Sequence, residues 1–289
     1  MKIGKFGVWF PTHGLGRADL AKLSHGIERL KYDILWYPEA TGYEALSLGG
    51  FLLSETDRLC VASGIANIYA RDAFSAMAGH NTLNTLYSDR FVLGLGVSHV
   101  PLVEGQRGHS YGKPIATMRS YLETMAAANI VVKAPARNLV LAALGPKMLA
   151  LARDKADGAL PYNVPPEHTL QARAILGTDR WLCVEQKICL TTNADTARAV
   201  AAQHLARYMT MPNYRNNWLR LGFGENEMTG RGSHRFLDAM VAWGSTETIR
   251  DRVKAHFDAG ATHVCIQPLN PDGSGMPDWK ALEALAPIG

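Results

Sequence analysis

Eight short apolar, β-rich runs, each followed by a stretch of helical or loop character, constrain this chain more than any other feature of its 289 residues. They fall at 3–10, 33–37, 59–67, 91–97, 139–144, 158–160, 183–191 and 263–268. Helical patterns separate them at 17–30, 43–54, 115–128 and 147–155, and another starts near Asp72, a good N-cap. Strand–helix alternation implies parallel pairing with right-handed crossovers. The run 91–97 is nearly all apolar with two glycines, as a strand buried on both faces would be. An open doubly wound sheet alternates in the same way, but eight units in a chain of this length favour closure. The expected fold is α/β: a (β/α)8 TIM barrel forming a single domain over residues 1–289.

The segment 192–243 breaks this rhythm. It holds an Ala-rich helical pattern at 194–209 and then PNYRNNWLRLGFGENEMTGRGSHRF. That is too long for an ordinary crossover, and connections of this length are usually functional or interfacial. It is read as a helical insertion between strands seven and eight, at the barrel mouth, serving as a lid or a dimer contact.

Composition narrows the function classes. With 47% hydrophobic residues the chain can bury a large core. Its 30 basic and 26 acidic residues leave +4, scattered singly or in pairs, so no nucleic-acid partner is expected. The N-terminal MKIGKFGVWFPTHG carries charges too often for a signal peptide, and no stretch approaches the roughly 18 apolar residues of a membrane helix. Cys60, Cys183, Cys189 and Cys265 have no CxxC spacing. Cys183 and Cys189 share one expected strand, which would hold them about 20 Å apart and unable to pair. Four reduced thiols and a cytoplasmic location follow as expectations.

No HxH, HExxH, GxSxG or GxxxxGK[ST] pattern occurs, so neither a metal nor a serine nucleophile is expected. Gly94 and Gly96 imitate the start of GxGxxG, but His99 stands where the third glycine belongs. The chemistry is therefore assigned to an organic cofactor.

In such a barrel the working residues lie at the carboxyl ends of strands. His13 follows the first strand, and Glu39 and Tyr43 the second. Gly64, Ile65, Ala66 and Asn67 close the third, and Ser98 and His99 the fourth. Ala142, Ala143, Leu144, Gly145, Pro146 and Lys147 follow the fifth, and Tyr162 the sixth. Gly145 permits a tight turn, Pro146 suits the first helical position, and Lys147 adds charge. The free N–H groups of that helix would suit a phosphate, although an ordinary strand-to-helix turn has the same residues. His99 reads as a general acid, as a hydrogen-bond donor to a bound ring, or as a plain loop histidine. Glu39 either orients a ring or caps a helix, and His13 is a substrate contact or an isolated loop residue.

Five ordered segments carry a resemblance. DILWYPEATGYEAL, ASGIANIYARDAFSAMA, YSDRFVLGLGVSH, LAALGPKMLALARDKADGALPY and WGSTETIRDRVKAHFDAGATHVCIQPL resemble the bacterial luciferase-like oxidoreductases. Within them the chain is similar to the actinobacterial branch that uses coenzyme F420, and HLARYMTMPNYRNNWLRLGF of the insertion resembles that branch too. The resemblance implies a cis bond at Gly64–Ile65, forming a bulge under the deazaflavin ring, with Ala66 and Asn67 lining it. It also implies that Glu39 contacts the polar edge of the ring and that 142–147 bind the cofactor phosphate. Ser98 and Tyr162 are expected as further cofactor contacts. Two departures concern the sugar-phosphate dehydrogenases of the group. Ala40 stands where they have histidine, and His99 where they have glutamate, so their proton-transfer pair is not reproduced.

The resulting expectation is an F420-dependent oxidoreductase acting on a CH–OH or C=C group of a small organic substrate. His99 would handle the proton, assisted by His13 or by Tyr43 on the substrate. An FMN-dependent luciferase-like monooxygenase is the alternative, and a non-catalytic F420- or flavin-binding protein the second. A homodimer is expected by resemblance alone.

Overall fold

Alternate residues of a strand face opposite ways, and that period sorts the core of this protein into layers. The computed structural model describes residues 3–287. Its strands are β1 (Phe6–Trp9), β2 (Ile34–Tyr37), β3 (Cys60–Ser63), β4 (Ala66–Asn67), β5 (Phe91–Gly96), β6 (Leu139–Ala142), β7 (Gly158–Leu160), β8 (Trp181–Cys189), β9 (Val241–Trp243) and β10 (His263–Pro268). Every pairing is parallel, in the order β10-β1-β2-β3-β5-β6-β7-β8, and β8 closes the ring on β10. The expected (β/α)8 barrel is present.

One face of the strands fills the barrel: Trp9, Ile34, Trp36, Ala62, Val92, Val140, Leu160, Cys183 and Cys265 pack together. Their neighbours one residue away, such as Val8, Leu35, Val61, Leu93, Leu141, Val184 and Ile266, point outward to the helices. The helices present apolar stripes at i, i+3 and i+4 spacing: Leu20, Leu23 and Ile27 on Arg17–Arg29, and Met118, Leu122 and Met125 on Pro114–Ala127. Complete burial of each such side chain contributes about 1.5–3 kcal/mol.

Of the boundaries that differ from the sequence reading, three bear on the site. The run 59–67 is two strands, β3 and β4, divided at the cis peptide Gly64–Ile65. The second helix begins at Ala45 rather than 43, because Glu44 caps it by accepting from Leu46 and Ser47 N–H. The Ala-rich helix stops at Leu205 instead of 209, and the chain tightens into a 3-10 turn at Tyr208–Thr210. The turn is what lets Tyr208 reach the barrel residue Tyr162.

The insertion adds helices Ala194–Leu205, Pro212–Arg220 and His234–Met240 and has its own core of Leu205, Met209, Trp218, Phe223, Phe236 and Met240. It returns through β9, which pairs beside Lys187–Cys189 of β8. No disulfide links the four cysteines among the described residues. No helix among the described residues is long and apolar enough to cross a membrane.

Candidate functional site

The carboxyl ends of the strands form a mouth whose floor is made by β1, β3 and β7. Trp9 Nε1 donates to the Gly64 carbonyl at 3.1 Å. A methyl group on Gly64 would lie 2.8 Å from Trp9 Nε1 and 3.3 Å from Leu160 Cδ2, so the cis peptide rests on both. The glycines of FVLGLG make room for it. A methyl on Gly94 would overlap the Ser63 carbonyl oxygen, and one on Gly96 would lie 2.5 Å from Ile65 Cδ1. Ser63 Oγ and Gly94 lock the approach with hydrogen bonds of 2.9 and 3.0 Å. Ile65 is thereby held as a half-buried apolar shelf beside Ala142, with Ala66 and Asn67 buried behind it.

Next to the shelf, Glu39 is almost fully buried and turned toward the protein. Its carboxylate accepts from Ala45 N–H at 3.1 Å and Asn67 N–H at 2.7 Å and pairs with Arg71. Arg71 also reaches Glu44 at 2.6 Å. Glu39 thus accepts from the first N–H of the helix that Glu44 caps, and its carboxylate ties three separate segments together. Asn67 accepts from Tyr69 N–H through Oδ1, while its buried Nδ2 has no partner among the described residues. Tyr43 donates its hydroxyl to the Leu15 carbonyl at 2.6 Å, and His13 stands exposed against Gly42. Both belong to the β1–β2 rim.

Across the mouth, Gly145 is the N-cap of helix Pro146–Lys155 and has no side-chain cap. The N–H groups of Gly145 and Lys147 point out of the first turn, where the helix dipole favours an anion. Pro146 and Lys147 are exposed, Ala142, Leu144 and Gly145 half-buried, and Ala143 buried. The guanidinium of Arg220, from the insertion, covers this turn: a methyl on Gly145 would touch Arg220 Nη2 at 3.4 Å. Behind it, His168 Nε2 donates to the Leu144 carbonyl at 2.8 Å.

His99 is half-buried at the end of β5, beside Ser98, whose φ is +58° and whose carbonyl accepts from Tyr111 OH at 3.3 Å. Its ring lies 6.0 Å from that of Tyr214 in the insertion. Burial, and then the positive charge of Arg207, push the imidazole below its ordinary value. His99 is therefore neutral at neutral pH, with one N–H and one lone pair.

Tyr162 completes the floor, 5.0 Å from the Trp9 ring. Its hydroxyl donates to Gln267 Oε1 at 2.8 Å and accepts from Tyr208 at 3.3 Å. Lys187 Nζ lies 3.8 Å from the centre of the Tyr162 ring and 3.2 Å from Glu185 Oε1, both charges buried inside the barrel. Burial pushes the lysine down and the glutamate up, each opposed by its partner.

Arg71, Arg220, Lys187 and Glu185 were missed by sequence reasoning. The last two did leave a signal, since two charges interrupt the otherwise apolar run LCVEQKICL. Arg220 left none, because only the fold brings it to Gly145. Among the described residues no group of three or more His, Cys, Asp or Glu could hold a metal ion.

Residues 4–263 match the protein family described as luciferase-like monooxygenase. A Mycobacterium tuberculosis protein named as a putative coenzyme F420-dependent oxidoreductase is 29% identical over 174 residues. The match covers 60% of this chain and 48% of that protein, so the chain spans about half the length of this relative. Among solved structures, the coenzyme F420-dependent tetrahydromethanopterin reductase of Methanopyrus kandleri superposes with a TM-score of 0.74 at 16% identity, over 99% of this chain and 98% of that one. An F420-dependent secondary alcohol dehydrogenase, in complex with an F420–acetone adduct, gives 0.76 at 13% over 98% and 99%. The FMN-bound oxygenating constituent of 3,6-diketocamphane monooxygenase from Pseudomonas putida gives 0.70 at 13% over 98% and 97%. At these identities the structural likeness is one of fold.

Proposed function

The chain belongs to the luciferase-like monooxygenase family, and on that premise we propose that it is an oxidoreductase passing a hydride between the deazaflavin of coenzyme F420 and a small organic substrate. The observation that carries this reading is the pairing of two unlike surfaces across one mouth. Ile65 offers an apolar shelf on one side, and Gly145 with Lys147 and Arg220 offers an anion-ready turn on the other. A phosphorylated ring cofactor fits such a pair. The orphaned Asn67 Nδ2 adds a donor for a ring carbonyl next to the shelf. The likeness to the mycobacterial relative favours the deazaflavin over FMN.

When bound, the deazaflavin would supply a ring carbon able to give or take hydride. The remaining work belongs to side chains. Neutral His99 accepts a substrate hydroxyl proton at its bare ring nitrogen in the oxidising direction and returns it in the other. Tyr162, fixed by Gln267, Tyr208 and the Lys187 ammonium, holds a defined hydroxyl direction on the floor. Tyr208, Tyr214 and Trp218 of the insertion cover the β5–β7 side and exclude water from it.

The test is titration of the purified protein with coenzyme F420, which should quench the coenzyme's fluorescence to saturation. Absence of quenching, or a protein that purifies yellow with FMN, overturns the reading. Saturable binding with no turnover over a broad panel of alcohols and enones would reduce the protein to a cofactor carrier.

A further inference from the structure

Three phenols and one imidazole meet where the insertion closes on the barrel, and they are not equivalent. Tyr162 gives its proton to Gln267, and Tyr208 gives its own to Tyr162. Tyr214, buried on helix Pro212–Arg220, makes no side-chain hydrogen bond among the described residues, and neither does the half-buried His99. Neither of these two has a polar side-chain atom that is both unpartnered and sealed from solvent. The Tyr214 hydroxyl and the His99 ring nitrogens are therefore open groups beside neighbours that are already satisfied.

Ring contacts put the two open groups at one space. The His99 and Tyr214 rings have centroids 6.0 Å apart and planes inclined at 38°. Two hydrogen bonds of about 2.8 Å that meet at one atom span roughly 5–6 Å, so a single oxygen can bridge the pair. Tyr214 lies 6.4 Å from Tyr162, whose ring is 5.0 Å from Trp9, the side chain that holds the Gly64 carbonyl. His99 follows β5, in which Gly96 pairs with Asn67 beside the shelf. Tyr214 is braced without use of its hydroxyl. Tyr208 meets its ring edge-on at 5.0 Å and Trp218 lies tilted at 5.8 Å. The next residue, Arg215, donates to the Met209 and Met228 carbonyls at 3.0 and 3.1 Å and pairs with Glu225.

We propose that Tyr214 is a catalytic residue: its hydroxyl and the His99 imidazole hold one substrate oxygen from two sides, and the substrate is an alcohol or its carbonyl partner rather than an isolated C=C. This rests on the cofactor reading above and deepens it. In the oxidising direction the hydroxyl proton passes to the bare nitrogen of His99. The electron pair of the carbon–hydrogen bond leaves as hydride to the oxidised deazaflavin, and the C=O bond forms. Tyr214 keeps its proton and donates to the oxygen while negative charge builds there. Burial, and then the neighbouring Tyr208 and Glu185, hold its phenol well above the ordinary range, so it stays a donor.

The experiment titrates cofactor-free protein with 4-nitrophenol, whose oxygen stands for that of the substrate, and reads the absorption band of the bound phenolate. Tyr214→Phe and His99→Ala should each weaken binding by about 10- to 100-fold. The double variant should be no more than about threefold weaker than the worse single one, because both groups serve one oxygen. Tyr214→Phe removes only an unbonded hydroxyl, so its melting curve and its quenching of coenzyme F420 fluorescence should match wild type. On any alcohol that wild type oxidises, its kcat should fall by about 10²-fold. A wild type that leaves the probe unbound, a Tyr214→Phe that binds it as wild type does, or losses that multiply in the double variant overturn this role and leave the cofactor reading standing. Coupled losses in a protein that does not quench coenzyme F420 overturn the cofactor reading and keep the two-sided oxygen site.

Discussion

The two sides of the barrel mouth are built on opposite principles. On the β2–β3 side nearly every buried polar group is spoken for: Glu39 joins Ala45, Asn67 and Arg71, and Arg71 joins Glu44. On the β6–β7 side Asn163 Oδ1 and Nδ2, His168 Nδ1 and Asn217 Nδ2 have no hydrogen-bond partner among the described residues, and a helix turn with no side-chain cap faces Arg220. A self-satisfied network is rigid and indifferent to ligand, whereas an unsatisfied one gains most when a ligand arrives. One side is a scaffold that holds a shelf in place; the other, on the proposed reading, is a receptor.

The comparison can be broken or sharpened in several ways. The largest effect is expected at the seam between the sides, where His99→Ala should lower turnover by about 10²–10⁴ and keep cofactor affinity within a few-fold. Lost binding with unaltered turnover would instead place His99 in the receptor. Next comes the scaffold. Arg71→Met strands the buried Glu39 carboxylate and should cost about 3–5 kcal/mol in urea unfolding, most of which Glu39→Leu in the same chain should restore. A single-variant loss below about 1 kcal/mol would mean that the network does not brace the shelf. Smaller again, Gly96→Ala pushes a methyl against Ile65 and should cost about 1–3 kcal/mol, with weaker ring binding read from the unphosphorylated chromophore. Unchanged stability and binding would show that Ile65 is free to give way.

The gentlest test is pH. Since His99 sits below its ordinary value of 6.5, the acid limb of kcat/KM should fall below that pH, and a midpoint at or above 6.5 would contradict its burial. Folding stability has a related signature. Burial holds His256 down at about 3 and His204 at about 4, so between 6.5 and those values the unfolded chain binds more protons. Stability should be complete above about 6.5 and decline as pH drops toward about 4. His256→Gln should flatten the slope in unfolding curves taken across that range.

Much of the fold was legible because a parallel barrel buries both faces of its strands, and continuous apolar runs such as 91–97 reveal this locally. The split at Gly64–Ile65 was foreseen only through family resemblance, since nothing in ASGIAN by itself demands it. The site was less legible. Which residues stand at strand ends follows from the strand runs, but what they touch does not. Glu39, after β2, meets Asn67 and Arg71 after the neighbouring β3 and β4, and Gly145 meets Arg220 through an insertion with no period linking the two. Residue type offered alternatives for Glu39, and only packing reveals its contacts with Ala45, Asn67 and Arg71. The charged pair in LCVEQKICL stands out in the sequence, but its burial against Tyr162 does not.

The insertion leaves the sheet after β8 and re-enters it at β9, hydrogen-bonded to the same strand it departed. Its two ends are therefore stapled side by side, and the barrel sees it as little more than a wide turn. Such an arrangement is a natural graft point: the barrel could accept a cap of another length or shape without relearning how to close. Variety in what relatives act upon could then be generated at this one cassette, while the eight strands beneath it stay as they are.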